Sequence, residues 1–411
     1  MIHKPTNRDD VSRGGNQPAE SFYGLGIAPK ILDILESIKF KVPTPIQLKA
    51  IPVALQGKDI IGVAQTGTGK THSFAIPMVQ CLAQKKGSGL VLAPTRELAI
   101  QIDEAFQVIA RPFGIRTACL IGGASMYEQI RALRKNPRVI IATPGRLIDH
   151  MEQRNVLLNY TVMLVLDEAD RMLDMGFAPQ VDKILRFLPK ERQTMLFSAS
   201  IPREVIQIAA KYMKLPVSVE IAPSGTAAEH VTQELFIVRK DAKSQVLRKL
   251  LAQYHGSILL FSRTKHNAGK IAHSIRGMGH SAAEIHSNRS LSQRREALGG
   301  FKSGKYKVLV ATDIAARGID VTGIELVINY DLPEDAQNYV HRIGRTGRAG
   351  HKGHAISFAT PDQSSDVKNI EKLTRTSLPI AKHPEIPQEQ FAQSSGKGTK
   401  YHFEPRRRHR R

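Results

Sequence analysis

The chain has 411 residues, 41% of them hydrophobic, which is enough for two or three cores at the usual domain size. Its 59 Lys and Arg against 37 Asp and Glu leave a net charge of +22, which points to a polyanionic partner, nucleic acid before an anionic membrane surface. Two cysteines, Cys81 and Cys119, exclude a disulfide framework and a cysteine-ligated zinc site, and no run approaches the roughly eighteen apolar residues of a membrane span.

Residues 1–20 are polar and are expected to be disordered. The start, Met1-Ile2-His3-Lys4-Pro5, has no apolar core, so no signal peptide is expected. From Phe22 to about Val219, short apolar runs alternate with helical stretches. The predicted strands are Ile60-Val63, Gly89-Leu92, Thr117-Ile121, Val139-Ala142, Met163-Leu166 and Thr194-Phe197. Uninterrupted apolar runs of this length are how parallel strands read when both faces are covered.

The first predicted strand runs into Ala64-Gln65-Thr66-Gly67-Thr68-Gly69-Lys70-Thr71. Glycines let backbone N–H groups turn toward a phosphate, and the helix start that follows adds positive potential. Lys70 is placed to reach the β- and γ-phosphates, and the Thr71 hydroxyl to ligate Mg²⁺. Further on, Val165-Leu166-Asp167-Glu168-Ala169-Asp170 reads as a buried strand ending in acids. Asp167 is a candidate for holding Mg²⁺ through its waters, and Glu168 for positioning and deprotonating the attacking water. An acidic helix start alone would read as ordinary dipole matching; beside a phosphate loop it reads as a nucleoside triphosphate site.

A linker is expected at 222–229, around Ala222-Pro223-Ser224-Gly225. The alternation then restarts with Leu235-Val238, Ile258-Phe261, Ala282-Ile285, Lys307-Val310, Leu326-Ile328 and Ala355-Phe358. The expected organisation is therefore two α/β domains, 21–221 and 230–380, with a ligand between them. In the second, Tyr339-Val340-His341-Arg342-Ile343-Gly344-Arg345-Thr346-Gly347-Arg348 places arginines three apart, and the spacing predicts one basic face of a helical turn offered to a leaving phosphate. The segment 381–411 turns basic, ends in Arg406-Arg407-Arg408-His409-Arg410-Arg411, and is expected to be a flexible arm adding non-specific affinity for phosphates.

These motifs, in this order, resemble those of the DEAD-box RNA helicases, over about residues 22 to 376. The resemblance implies two tandem RecA-like domains, each a mainly parallel sheet with helices on both faces, ATP and Mg²⁺ as ligands, and RNA-stimulated hydrolysis. It implies that Phe22, Phe40 and Gln47 bind the adenine, together with Gln65 to Thr71 on the phosphates. It assigns RNA to Pro94-Thr95-Arg96, Gly122-Gly123 and Thr143-Pro144-Gly145-Arg146 in the first domain, and to Arg263, Arg294 and Thr312 in the second. Ser198-Ala199-Ser200, with Asp170 and His341, resembles the elements that couple hydrolysis to unwinding. Asp320 is assigned to the ribose, and Arg345 and Arg348 to the γ-phosphate.

Some positions depart from the family pattern: Ser200 stands for the usual threonine, Lys39 for the usual glycine before Phe40, and the glutamine expected near Arg294 is shifted from position 291 to Gln293. The short basic tail and Ala311-Thr312-Asp313-Ile314-Ala315-Ala316-Arg317-Gly318 look most like the bacterial RhlE-type subgroup. With no Trp and 6% aromatics, the chain suits contacts to RNA phosphate and sugar rather than base stacking. The rival readings are an ATP-gated RNA clamp with little unwinding and a DNA translocase on the same plan. A cytoplasmic monomer, unattached to membrane and with protein partners open, is the expectation.

Overall fold

The computed structural model describes residues 21–65, 67–221, 231–316, 321, 323–347, 353–382 and 389–392. The expected disordered segment 1–20, the linker 222–229 and the basic arm beyond 392 lie outside the described residues, as do Thr66, Arg317–Asp320 and Arg348. The described chain divides into two compact units, one on each side of the expected linker.

The first unit is built on β1 (Ile60–Val63), β2 (Ser88–Leu92), β3 (Thr117–Leu120), β4 (Val139–Ala142), β5 (Thr161–Leu166), β6 (Gln193–Ser198) and β7 (Val217–Glu220). They form one seven-stranded sheet in the order β3-β4-β2-β5-β6-β1-β7. Every pairing is parallel. The second unit uses β8 (Val231–Ile237), β9 (Ile258–Phe261), β10 (Ala282–Ile285), β11 (Val308–Ala311), β12 (Leu326–Asn329) and β13 (Gly353–Ala359), a six-stranded parallel sheet in the order β10-β11-β9-β12-β13-β8.

The apolar runs form strands because both faces are covered. All four residues of β4, Val139-Ile140-Ile141-Ala142, are buried, and so are those of β9, β11 and β12. On one face of the first sheet, Phe74 on helix Lys70–Gln84 lies 6.1 Å from Phe106 and 5.4 Å from Phe197 on β6, ring to ring. Removing any one of these buried rings costs about 3–5 kcal/mol. Gly62 on β1 makes room for Phe197: a Cβ there would stand 2.5 Å from the ring.

Two expectations need correction. Strand β7 was absent from the sequence reading; it is a sheet edge whose Ser218 and Glu220 are exposed, so it lacks the apolar continuity of the others. Arg342 and Arg345 do not share a helical face: helix Ala336–Ile343 stops with Gly344 as its C-cap, and Gly347 takes a φ of +67°, while Arg348 lies outside the described residues. The helix thus ends at Gly344, before Arg345 is reached.

Candidate active site

Strands β1, β6 and β5 lie side by side, so the residues that follow them come together at the carboxyl end of the first sheet. The carboxyl ends of parallel strands are where such sheets bind ligands. After β1 comes the glycine loop, with φ of +87° at Gly67 and +92° at Gly69. Gly69 caps helix Lys70–Gln84, and its backbone conformation is one that a side chain would strain. Thr68 Oγ1 donates to the Gln65 carbonyl at 2.7 Å, and Lys70 Nζ donates to the Ala64 carbonyl at 2.9 Å. Lys70 thus folds back across the loop it belongs to, and the half-buried Thr71 stands on the first helical turn beside it.

After β5 come Asp167, Glu168 and Asp170, each 2% exposed. Burial pushes the Asp167 carboxyl up to about 7, against the pull of the Lys70 ammonium. The arrangement fits a magnesium ion: the donors are a carboxylate and a hydroxyl, both hard oxygens, and a cation would relieve a carboxylate that burial penalises. Glu168 holds a left-handed φ of +50° at the strand-to-helix corner. Its Oε2 accepts from Arg171 Nη1 at 3.1 Å, and both side chains are buried. Such a strained corner aims a side chain that a relaxed one would not. Arg171 is a site residue that the sequence reading missed; its place three residues after Glu168 was the available signal.

After β6 comes Ser198-Ala199-Ser200, and Asp170 binds it from the neighbouring strand end. Asp170 Oδ2 accepts from the N–H groups of Ala199 and Ser200 at 3.1 and 2.9 Å and from Ser200 Oγ at 2.9 Å. In return Ser198 Oγ accepts from the Asp170 N–H at 3.2 Å.

The residues expected at the base include one, Gln47, that touches the glycine loop. Phe22 stacks on Phe40 with ring centroids 5.9 Å apart, and Phe40 lies 4.5 Å from His72, whose pKa burial lowers. Gln47 is fully buried: its Oε1 accepts from the Thr44 N–H at 2.9 Å and its Nε2 donates to the Gly69 carbonyl at 2.9 Å. Both ends of this amide are therefore engaged, and it ties helix Pro45–Leu55 to the phosphate loop. Lys39 takes a φ of +60°, which explains why a glycine is the easier residue there.

The other first-unit segments converge as well. Thr95 caps helix Arg96–Ala110, and Pro144 opens helix Pro144–Glu152 after Thr143, with Gly145 exposed. Arg96 packs on the turn at Gly122-Gly123, where a Cβ on Gly123 would lie 2.4 Å from its Nη1. Arg146 Nη1 donates to the Ala124 carbonyl at 3.1 Å. Pro94 is buried in the β2 end of this group.

In the second unit, the Arg263 N–H donates to Asp331 Oδ2 at 3.1 Å, and Arg263 Nη2 donates to the Leu332 carbonyl at 3.3 Å. Lys243 Nζ and Ser262 Oγ donate to the same Asp331 carboxylate, at 3.0 and 3.2 Å. Gln293 is spent in a capping box with Ser290, and Arg294 is 7% exposed. Thr312 is half-buried after β11, and His341 is half-buried on helix Ala336–Ile343. Arg342 is not available to a phosphate. Its Nε and Nη2 donate to both oxygens of Asp313, at 2.6 and 2.7 Å, and its Nη1 donates to Asn329 Oδ1 and the Asp331 carbonyl, at 3.1 and 2.6 Å. Arg345 is 3% exposed, and Asp320 lies outside the described residues.

A glycine loop, a strand-end carboxylate pair and a second sheet of the same plan define a tandem-domain nucleoside triphosphatase of the helicase class. The DEAD/DEAH box helicase family matches residues 44–208, and the helicase conserved C-terminal domain matches residues 242–350. The ATP-dependent rRNA helicase RRP3 of Candida albicans is 44% identical over 369 residues, 89% of this chain and 69% of that protein. The protein of the same name from Neosartorya fischeri is 45% identical over 360 residues, 86% of this chain and 76% of its own. Among solved structures, S. cerevisiae Dbp5 bound to RNA and ADP BeF3 has a TM-score of 0.78 at 34% identity, covering 88% of this chain and 96% of that one. The chain belongs to the DEAD-box helicases and is an ATP-dependent RNA helicase.

Proposed function

We propose that the chain hydrolyses ATP at the ends of β1, β5 and β6 and uses the cycle to open short RNA duplexes locally. The observation that supports this reading best is the bond set between Asp170 and Ser198–Ser200, which joins the acidic strand end to the loop at the next strand. The glycine loop from Gln65 to Thr71 cradles the phosphates. Lys70 leaves the Ala64 carbonyl for them, and Phe22, Phe40 and Gln47 bound the base. Glu168, fixed by Arg171, orients a water and takes its proton, while the buried setting keeps other water out. Thr71 and Asp167 are the residues to hold a magnesium ion, which supplies charge neutralisation at the phosphates. For the γ-phosphate we carry over the family's assignment of Arg345 and Arg348, and for the ribose that of Asp320.

RNA is gripped through its backbone by Pro94-Thr95-Arg96, Gly122-Gly123 and Thr143 to Arg146, and in the second unit by Arg263, Arg294 and Thr312. Contacts of this kind carry no sequence information, so target choice comes from elsewhere. ATP and RNA each strengthen the other's binding, because coupling is reciprocal. His341 and the Asp170–Ser200 contact transmit it. The names of the fungal relatives favour ribosomal RNA as the physiological substrate; the RhlE-type assignment rests only on the tail and residues 311–318. A cytoplasmic monomer remains our reading of location and state. Strand separation of a short labelled RNA duplex, with and without ATP, is the test. ATP-dependent release is expected, and ATP-dependent retention without release would make the chain a clamp instead.

A further inference from the structure

The turn Ile121–Ala124, which carries the RNA-gripping glycines, is held from beneath by two buried side chains that no motif includes. Gln129 is 5% exposed and His150 is fully buried. His150 Nε2 lies 3.2 Å from Gln129 Oε1, and Gln129 Nε2 donates to the Ile121 carbonyl at 3.0 Å. The Gln129 amide must present its oxygen to the imidazole and its NH₂ to the carbonyl, so His150 carries its proton on Nε2 and donates. Its Nδ1 is then an acceptor, and Asn155 Nδ2 stands 3.5 Å from it. Burial first, and then Arg146, lower the His150 pKa, which keeps the ring in this neutral form.

The direction of these bonds has a consequence at the glycine. All peptide bonds here are trans, so a carbonyl and the N–H of the same peptide unit point opposite ways. With the Ile121 carbonyl drawn inward to Gln129, the Gly122 N–H points outward. A carbonyl that accepts a hydrogen bond also makes its own N–H a better donor, because chains of hydrogen bonds polarise one another. Arg96 against Gly123 and Arg146 on the Ala124 carbonyl fix the rest of the turn.

We infer that Gln129 and His150 are positioning residues for RNA: they aim and polarise the Gly122 peptide unit, so that its N–H meets a backbone phosphate. The inference rests on the assignment of RNA to Gly122-Gly123 in the proposed function.

The test is steady-state ATPase against poly(U) concentration, with melting temperature and the KM for ATP measured alongside. Gln129→Leu keeps the volume and loses both bonds. It should raise the KM for RNA about tenfold, leaving kcat at saturating RNA and the KM for ATP within about twofold. His150→Leu should raise it about threefold, and His150→Gln, whose amide N–H falls where Nε2 lies, should bring it back to wild type. An unchanged KM for RNA in both leucine variants, with only melting temperature lowered, assigns the pair a structural role and overturns the inference. If Gln129→Leu does not fold, the contrast between His150→Leu and His150→Gln decides by the same criterion. A wild-type protein whose ATPase ignores poly(U) overturns the proposed function itself, a result read before any variant is compared.

Discussion

The Asp170 carboxylate and the Ser200 hydroxyl are 2.9 Å apart, and the same carboxylate oxygen also takes the N–H groups of Ala199 and Ser200. The end of β5 and the loop that follows β6 are thereby made one body. Serine supplies the hydroxyl that the usual threonine would, so the substitution costs this contact nothing.

Ser200→Ala removes one of the donors to Asp170 Oδ2 and leaves the two backbone ones. Basal ATPase and melting temperature should stay near wild type while duplex unwinding falls. Asp170→Ala strands the loop donors and should destabilise the first unit by about 2–4 kcal/mol, read by denaturant titration. Equal stability of the two variants would show that the carboxylate does not hold the loop.

Glu168→Gln keeps the shape and removes the base. Nucleotide and RNA binding should persist, and RNA-stimulated turnover should drop by about a hundredfold or more. The buried Arg171 loses its charged partner in this variant, so a modest fall in melting temperature should accompany it. Turnover at the wild-type rate would remove Glu168 from its role.

Asp167 predicts a proton linkage. With its carboxyl at about 7 in the free protein, part of the population is protonated at neutral pH. A magnesium–nucleotide ligand requires the charged form, so its binding releases a proton and weakens as pH falls below about 7. Calorimetry in two buffers of different ionisation enthalpy should give close to one proton released at pH 6 and nearly none at pH 8.5. Zero release at both values contradicts it.

Arg342 was offered by the sequence as one of three phosphate-facing arginines, and the structure spends it on Asp313 and Asn329. Arg342→Ala should therefore act on stability, costing the second unit about 3–5 kcal/mol. Differential scanning calorimetry should show the second unit melting first. A variant that melts as wild type but hydrolyses ATP slowly would return Arg342 to the phosphate.

The contrast shows where the sequence was legible. Strands such as Val139–Ala142 and Ile258–Phe261 announce themselves because each is apolar on both faces. The glycine loop and the acidic strand end are local, and their chemistry is written in consecutive residues. Arg342 was misread because its partner is 29 residues away in sequence and no spacing rule reaches Asp313. Gln129 and His150 stayed invisible for the same reason: each alone reads as an ordinary helical residue, and only the fold aligns them under Ile121. Strand β7 was missed because an edge strand with two exposed polar residues carries little apolar signal.

The most direct test is the rate of ATP hydrolysis by the purified chain with no nucleic acid, with single-stranded RNA and with DNA of the same sequence. The proposed function predicts a low basal rate, stimulation of at least about tenfold by RNA and little by DNA, because the 2′-hydroxyl is what lets a protein tell RNA from DNA. A folded protein that hydrolyses ATP at one rate in all three conditions would contradict it.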